Sequence, residues 1–170
     1  GRPWAEVRKL LNFETSKLAG VLMSHAHKDH CKVAEGAARA GLDIYASEAT
    51  LGWFPGAQHR YHPIYARKQF RVGTWAVLPF ETVHEGEKGD TLGFLLAIQE
   101  GEKLLFLTDS CYCPVRFKDL SVIAIECNYA GDILDRNVKA GDLHPGLRRR
   151  IARSHMSLQT ATDFFKANDM

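Results

Sequence analysis

His25-Ala26-His27-Lys28-Asp29-His30 packs four side chains of metal-ligating type into six positions, directly after the apolar, strand-like stretch Leu18 to Met23. In an extended segment residues i and i+2 point to the same side, so His25 and His27 converge on one point. Asp29 and His30 then face a second position beside it. Imidazole nitrogen with carboxylate oxygen suits zinc and also admits manganese or iron, because no thiolate is required. A lone histidine is ordinarily a polar loop residue, but that reading does not explain this density of ligands.

Working outward, Val21 to Ser24 reads as a buried strand, and Asp29 as the cap of an alanine-rich helix running to about Arg39 and closed by Gly41. The ligand-rich loop therefore joins a strand end to a helix start. Upstream, Trp4, Val7, Leu10 and Leu11 recur at helical spacing between Pro3 and Leu11. Downstream, a strand over Asp43 to Ala46 precedes a Ser47-capped helix with Glu48 and Leu51, and Trp53 to Tyr65 reads as an irregular aromatic stretch. Gln69 to Val72 and Thr74 to Val83 flank Gly73 as strands. Leu92 to Gln99 and Lys103 to Leu107 flank the turn Glu100-Gly101-Glu102. Leu120 to Glu126 is a further β-branched run, and Asp132 to Lys139, Gly146 to Arg153 and Leu158 to Ala167 read as helices. Strands and helices alternate without an internal repeat or long linker, so residues 1–170 are expected to form a single α/β domain.

Composition is that of a globular chain: 170 residues, 45% hydrophobic and 25% charged, enough for one core. With no run of eighteen apolar residues and no signal-peptide pattern, the expectation is a soluble, cytoplasmic protein without a membrane partner. A net charge of +2 does not by itself imply a polyanionic partner. Arg148, Arg149 and Arg150, with Arg153, nevertheless form a local basic cluster able to grip phosphates. The four cysteines lack paired C-x-x-C spacing and are expected to be reduced thiols. His59, His62 and His144 read as surface or turn histidines, and Cys111 and Cys113 as one face of a strand.

Further ligands must come from other strand ends. His84 closes the strand Thr74 to Val83, and Asp109 closes Lys103 to Leu107, where strand-end loops commonly build sites. The order His25-x-His27-x-Asp29-His30, then His84, then Thr108-Asp109-Ser110, resembles the metallo-β-lactamase superfamily over nearly the whole chain. Leu104 to Asp109, Ile125-Glu126-Cys127-Asn128-Tyr129 and Ser154-His155-Met156-Ser157-Leu158 resemble a phage and Gram-positive branch near the YycJ-type nucleases and, more distantly, ribonuclease Z.

That resemblance implies an αβ/βα sandwich with a one- or two-metal hydrolytic site on the sheet edge. His25, His27 and His84 would bind the first metal, Asp29 and His30 the second, and Asp109 would bridge both. The ion is expected to be Zn2+, one or two per chain, with Mn2+ or Fe2+ as alternatives. The family's opening strand hairpin, and the final strand with its last ligand histidine, have no counterpart in the sequence. A sandwich lacking its first strands and its last strand exposes an open edge, which a homo-oligomer would cover.

The reaction implied is hydrolysis of a phosphodiester, with nucleic acid or a small phosphodiester as substrate, by water whose pKa the metal lowers from 15.7 to about 7. Asp29 is placed to orient or deprotonate that water. His155 resembles the histidine that protonates the leaving oxygen in the ribonuclease Z branch, with Glu126 holding its imidazole. Hydrolysis of a small ester, thioester or lactam is the second enzymatic reading, and a catalytically silent metal-binding or interaction module is the third.

Overall fold

The computed structural model describes residues 1–84, 87–98 and 101–168, with backbone alone over 87–90. Two sheets form between helical layers. The smaller holds β1 (Val21–Leu22), β2 (Ile44–Ala46) and β3 (Tyr61–Pro63), all parallel in the order β1-β2-β3. The larger runs β4 (Phe70–Val72), β5 (Trp75–His84), β6 (Glu87–Ala97), β7 (Lys103–Leu107) and β8 (Val122–Ile125). Its pairs are antiparallel except β7 with β8.

Side-chain alternation along the strands decides the layers. On β2, Ile44 and Ala46 turn to a core with Ala34, Ala37 and Ala38 of α3 (Ala34–Arg39), against which Trp4 of α1 (Trp4–Leu10) packs. Tyr45 turns the other way, onto the core between the sheets, where Val72, Val77, Leu92 and Phe94 are buried. The far face of the larger sheet buries Phe80, Leu105 and Leu107 against Met156 and against Ala161 and Phe164 of α7 (Leu158–Ala167). The order is helices, sheet, sheet, helix. This α/β sandwich is the architecture expected from the sequence.

Gly93 is required where β6 faces β5. A Cβ there would lie 2.3 Å from Cζ of Phe80, whose ring occupies that space. The small sheet does not reach the inner face of β7 and β8. Phe94 is buried, yet Phe106 paired beside it is 41% exposed, and Val122 on the same face is 48% exposed.

Several expectations are corrected. The helix from Asp29 to Arg39 is broken into α2 (Lys28–Cys31) and α3, and His27, not Asp29, occupies its N-cap position. The backbone provides the reason: the His27 carbonyl accepts from His30 and Cys31, so the turn closes two residues early. The stretch Trp53 to Tyr65 is only partly irregular, since β3 pairs in parallel with β2. His62 is therefore no turn residue; it stacks on Tyr45 at 5.1 Å and meets Asp43 at 3.2 Å, beside Arg60. Cys111 and Cys113 do not share a strand; Tyr112 between them forms an isolated bridge to Val83. Gln99 and Glu100 of the expected β6–β7 connection lie outside the described residues.

The remaining helices follow the sequence pattern: α4 (Glu48–Leu51), α5 (Gly131–Ala140), α6 (Pro145–Ser154) and α7. Ser47 and Ser157 cap α4 and α7, each accepting through its hydroxyl from the N–H three residues on. No helix among the described residues is long and apolar enough to cross a membrane.

Candidate metal centre

Because β5 and β7 both run antiparallel to the β6 between them and β8 runs parallel to β7, β5, β7 and β8 point the same way, and their C-terminal ends deliver His84, Asp109 and Glu126 to one edge. The loop after β1 reaches that edge too, held there by the Leu92 N–H, which donates to the Ser24 carbonyl at 3.0 Å. His155 arrives from the link between α6 and α7, which the Asn128 N–H fixes by donating to the Met156 carbonyl at 2.9 Å.

Three groups of ligand atoms result: His25, His27, His84 and Asp109; Asp29, His30 and Asp109; and Asp109, Glu126 and His155. Asp109 belongs to all three. Its Oδ2 lies 3.0 Å from His30 Nε2 and 3.5 Å from His25 Nε2, and its Oδ1 lies 3.8 Å from His155 Nδ1. Its backbone is left-handed at φ 44, a region that aspartate tolerates better than most side chains.

The histidine lone pairs are oriented by what holds the opposite ring nitrogen. His84 Nδ1 donates to the Ser154 carbonyl at 3.3 Å, so its Nε2 is the free acceptor, facing His27 Nδ1 at 3.2 Å. His25 Nδ1 shares a hydrogen bond with Ser24 Oγ at 3.0 Å, which turns Nε2 inward. That Nε2 is buried and has no hydrogen-bond partner. A buried, unpartnered imidazole nitrogen among three other nitrogens and a carboxylate is costly alone and satisfied by a cation, so the residues present fit a divalent metal ion.

Charge states agree with this. Burial lowers the His84 pKa below its ordinary value, with the Ser154 carbonyl opposing. Burial likewise lowers His30, against the pull of Asp109. Both rings are therefore neutral, and able to ligate, near pH 7. Burial pushes the Asp109 carboxyl up, but the His25 ring 3.5 Å away and the charges of His30, His25 and His155 outweigh it and hold the pKa at about 2. Slight burial also opposes ionisation of Asp29, and its own backbone N–H and His30 outweigh it, leaving the pKa lowered.

Glu126 Oε2 meets His155 Nδ1 at 2.9 Å, while its Oε1 accepts from the Ser110 N–H. Burial raises its pKa, with Ser110 and His155 opposing. Since Nδ1 of His155 is turned to Glu126, Nε2 is the nitrogen left for the cleft, which has a volume of about 630 Å³ and which His155 lines with Asp29, His84 and Asn128.

All eight residues expected at the centre or beside it, His25, His27, Asp29, His30, His84, Asp109, Glu126 and His155, are brought together. The arginines separate. Arg150 lines the cleft, whereas Arg148 is turned to Asp135 at 2.9 Å and does not. Arg149 faces an adjoining groove. Sequence reading passed over Ser24, Ser110 and the Ser154 carbonyl, which orient His25, Glu126 and His84. Ser110 adjoins Asp109 and was open to notice, but a backbone acceptor such as Ser154 leaves no mark in the sequence.

A four-layer sandwich with a histidine and carboxylate cluster at its strand ends defines a metal-site protein of the metallo-β-lactamase type. The sequence profile described as the beta-lactamase superfamily domain matches residues 3–167, and the chain belongs to that superfamily. Among solved structures, the metallo-β-lactamase fold protein YhfI from Bacillus subtilis is similar, with a TM-score of 0.67 and 18% identity over 98% of this chain and 71% of that one. A diphosphatase of the PhnP family is also similar, with a TM-score of 0.63 and 13% identity over 94% of this chain. This chain spans 59% of that diphosphatase's length. No curated protein matches the sequence.

Proposed function

We propose that the protein is a metal-dependent hydrolase that cleaves a phosphodiester, with nucleic acid as its substrate class. The observation carrying this reading is the position of Asp109, one carboxylate shared by two sets of ligands and by the His155 and Glu126 pair. In the proposal His25, His27 and His84 would hold one divalent ion and Asp29 and His30 a second, with Asp109 within reach of both sets. Zinc is the proposed ion, with manganese or iron as substitutes. When bound, the metal supplies Lewis acidity to the phosphoryl oxygen and lowers the pKa of water towards 7.

The chain's own groups handle the protons. Asp29, ionised at neutral pH and facing the cleft, orients the attacking water and takes its proton as the new P–O bond forms. His155, held through Nδ1 by Glu126, gives the proton on Nε2 to the leaving oxygen as the old P–O bond breaks. Lys28 and Arg150 border the cleft and offset the phosphate charge.

Hydrolysis of a small ester, thioester or lactam favours a compact apolar pocket; a cleft bordered by Lys28 and Arg150 supports the phosphate reading instead. That the similar PhnP-family protein is a diphosphatase is in keeping with phosphorus chemistry on this fold. The test is hydrolysis of bis(p-nitrophenyl) phosphate, a thioester and a chromogenic lactam by protein stripped of metal and reloaded with Zn2+, Mn2+ or Fe2+. Turnover of the phosphodiester alone supports the proposal. Turnover of only the thioester or lactam overturns it, and metal uptake with background rates on all three points to a silent module.

A further inference from the structure

α6 carries arginines beyond the one that borders the metal cleft. Leu147, Arg150, Ile151 and Ser154 recur at i, i+3, i+4 and i+7 and form the helix's edge of the cleft. Gly146, Arg149, Arg150 and Arg153 recur at the same spacing one residue earlier and line a separate groove of about 530 Å³. Stripes offset by one residue occupy neighbouring faces of a helix. Arg150 and Ser154 border both concavities, so the groove continues the cleft.

Arg149, Arg150 and Arg153 are exposed and form no ion pair among the described residues, whereas Arg148 is neutralised by Asp135. Like charges at i+3 and i+4 spacing repel one another and weaken the helix, so a polyanion seated there is favoured twice, by attraction and by relief of that repulsion. Guanidinium groups match phosphate oxygens with paired N–H donors. No carboxylate lines this groove among the described residues.

Resting on the phosphodiester reading, we infer that the Arg149 and Arg153 groove is a second phosphate subsite, so that the substrate is an oligonucleotide strand reaching from the metal cleft along α6 rather than an isolated diester. Contacts of this kind position a strand without reading its bases.

The experiment compares the wild type with the double variant Arg149→Ala, Arg153→Ala and with a charge-matched control, Lys139→Ala, Lys166→Ala, altered in the last turns of α5 and α7. Binding of a fluorescent twelve-residue oligothymidylate is followed by anisotropy in EDTA over a range of salt concentrations. Each single-strand phosphate contact contributes about 0.7 to the slope of log affinity against log salt, so losing two lowers it by about 1.4. With metal restored, the ratio of kcat/KM for the oligonucleotide to that for bis(p-nitrophenyl) phosphate is expected to fall at least tenfold in the arginine variant only. An unchanged slope and ratio, or equal changes in the lysine control, overturns the subsite. If the wild type fails to cleave the simple diester while the slope still falls in the arginine variant alone, the hydrolase reading fails and the phosphate subsite stands.

Discussion

Replacing Asp109 with asparagine removes one charge from the point where all three ligand groups meet, without altering shape. Asparagine, like aspartate, tolerates φ near 44, whereas alanine there adds about 1–2 kcal/mol of backbone strain. The substitution therefore isolates the carboxylate. The side chain is 13% exposed, and its pKa falls from 3.8 to about 2 on folding. At about 1.4 kcal/mol per decade this stabilises the metal-free fold by roughly 2 kcal/mol. A depressed carboxylate pKa gives stability that is fully present above pH 3.8 and is lost as pH falls through about 2. Urea denaturation in EDTA is expected to find Asp109→Asn less stable than the wild type by roughly 2 kcal/mol at pH 6, or about 4–8 °C in Tm, with the gap closing towards pH 2. In metal at a hundred times the wild-type Kd, the wild type gains about 2.7 kcal/mol while the variant gains little at the same concentration. A gap that does not vary with pH, or an equal metal-induced rise in both proteins, refutes the placement of Asp109 at the hub.

Four other outcomes are expected. His155→Ala lowers kcat for a phosphodiester with a poor leaving group by about 100-fold, with metal content unchanged by elemental analysis; a proton donor is needed less for p-nitrophenolate, so an equal loss on both substrates counts against the acid role. Gly93→Ala forces a methyl against the Phe80 ring and lowers stability by about 1–3 kcal/mol in a calorimetric scan; an unchanged Tm contradicts that packing. Ser157→Ala removes the hydroxyl that accepts from the Thr160 N–H at 3.1 Å and costs about 1 kcal/mol, read by urea titration. Elemental analysis of protein purified without added metal gives about two ions per chain if both ligand sets load, and about one if only the three-histidine set does.

The boundaries of most elements were legible because each carries its own local signal. Apolar, β-branched runs bounded by turn residues mark β5 to β8, Ser47 and Ser157 announce the helices they cap, and the heptad-like recurrence of Trp4, Val7 and Leu11 marks α1. β3 was missed because three residues beside β2, none of them fully buried, carry no periodicity long enough to detect. The helix after the histidine loop was misplaced because the His27 carbonyl, a backbone group, closes its first turn.

For the site, ligand chemistry was written in the chain and ligand geometry was not. Four ligands in six residues declare a metal loop, since a loop so short holds its side chains within reach of one another whatever the rest of the protein does. His84, Asp109, Glu126 and His155 are separated by tens of residues, and only the parallel running of β5, β7 and β8 brings their ends to one edge. The same holds for the arginines. Adjacent in sequence, Arg148, Arg149 and Arg150 are indistinguishable, and it is the rotation of about 100° per residue around α6 that sends one to Asp135, one to the neighbouring groove and one to the metal cleft.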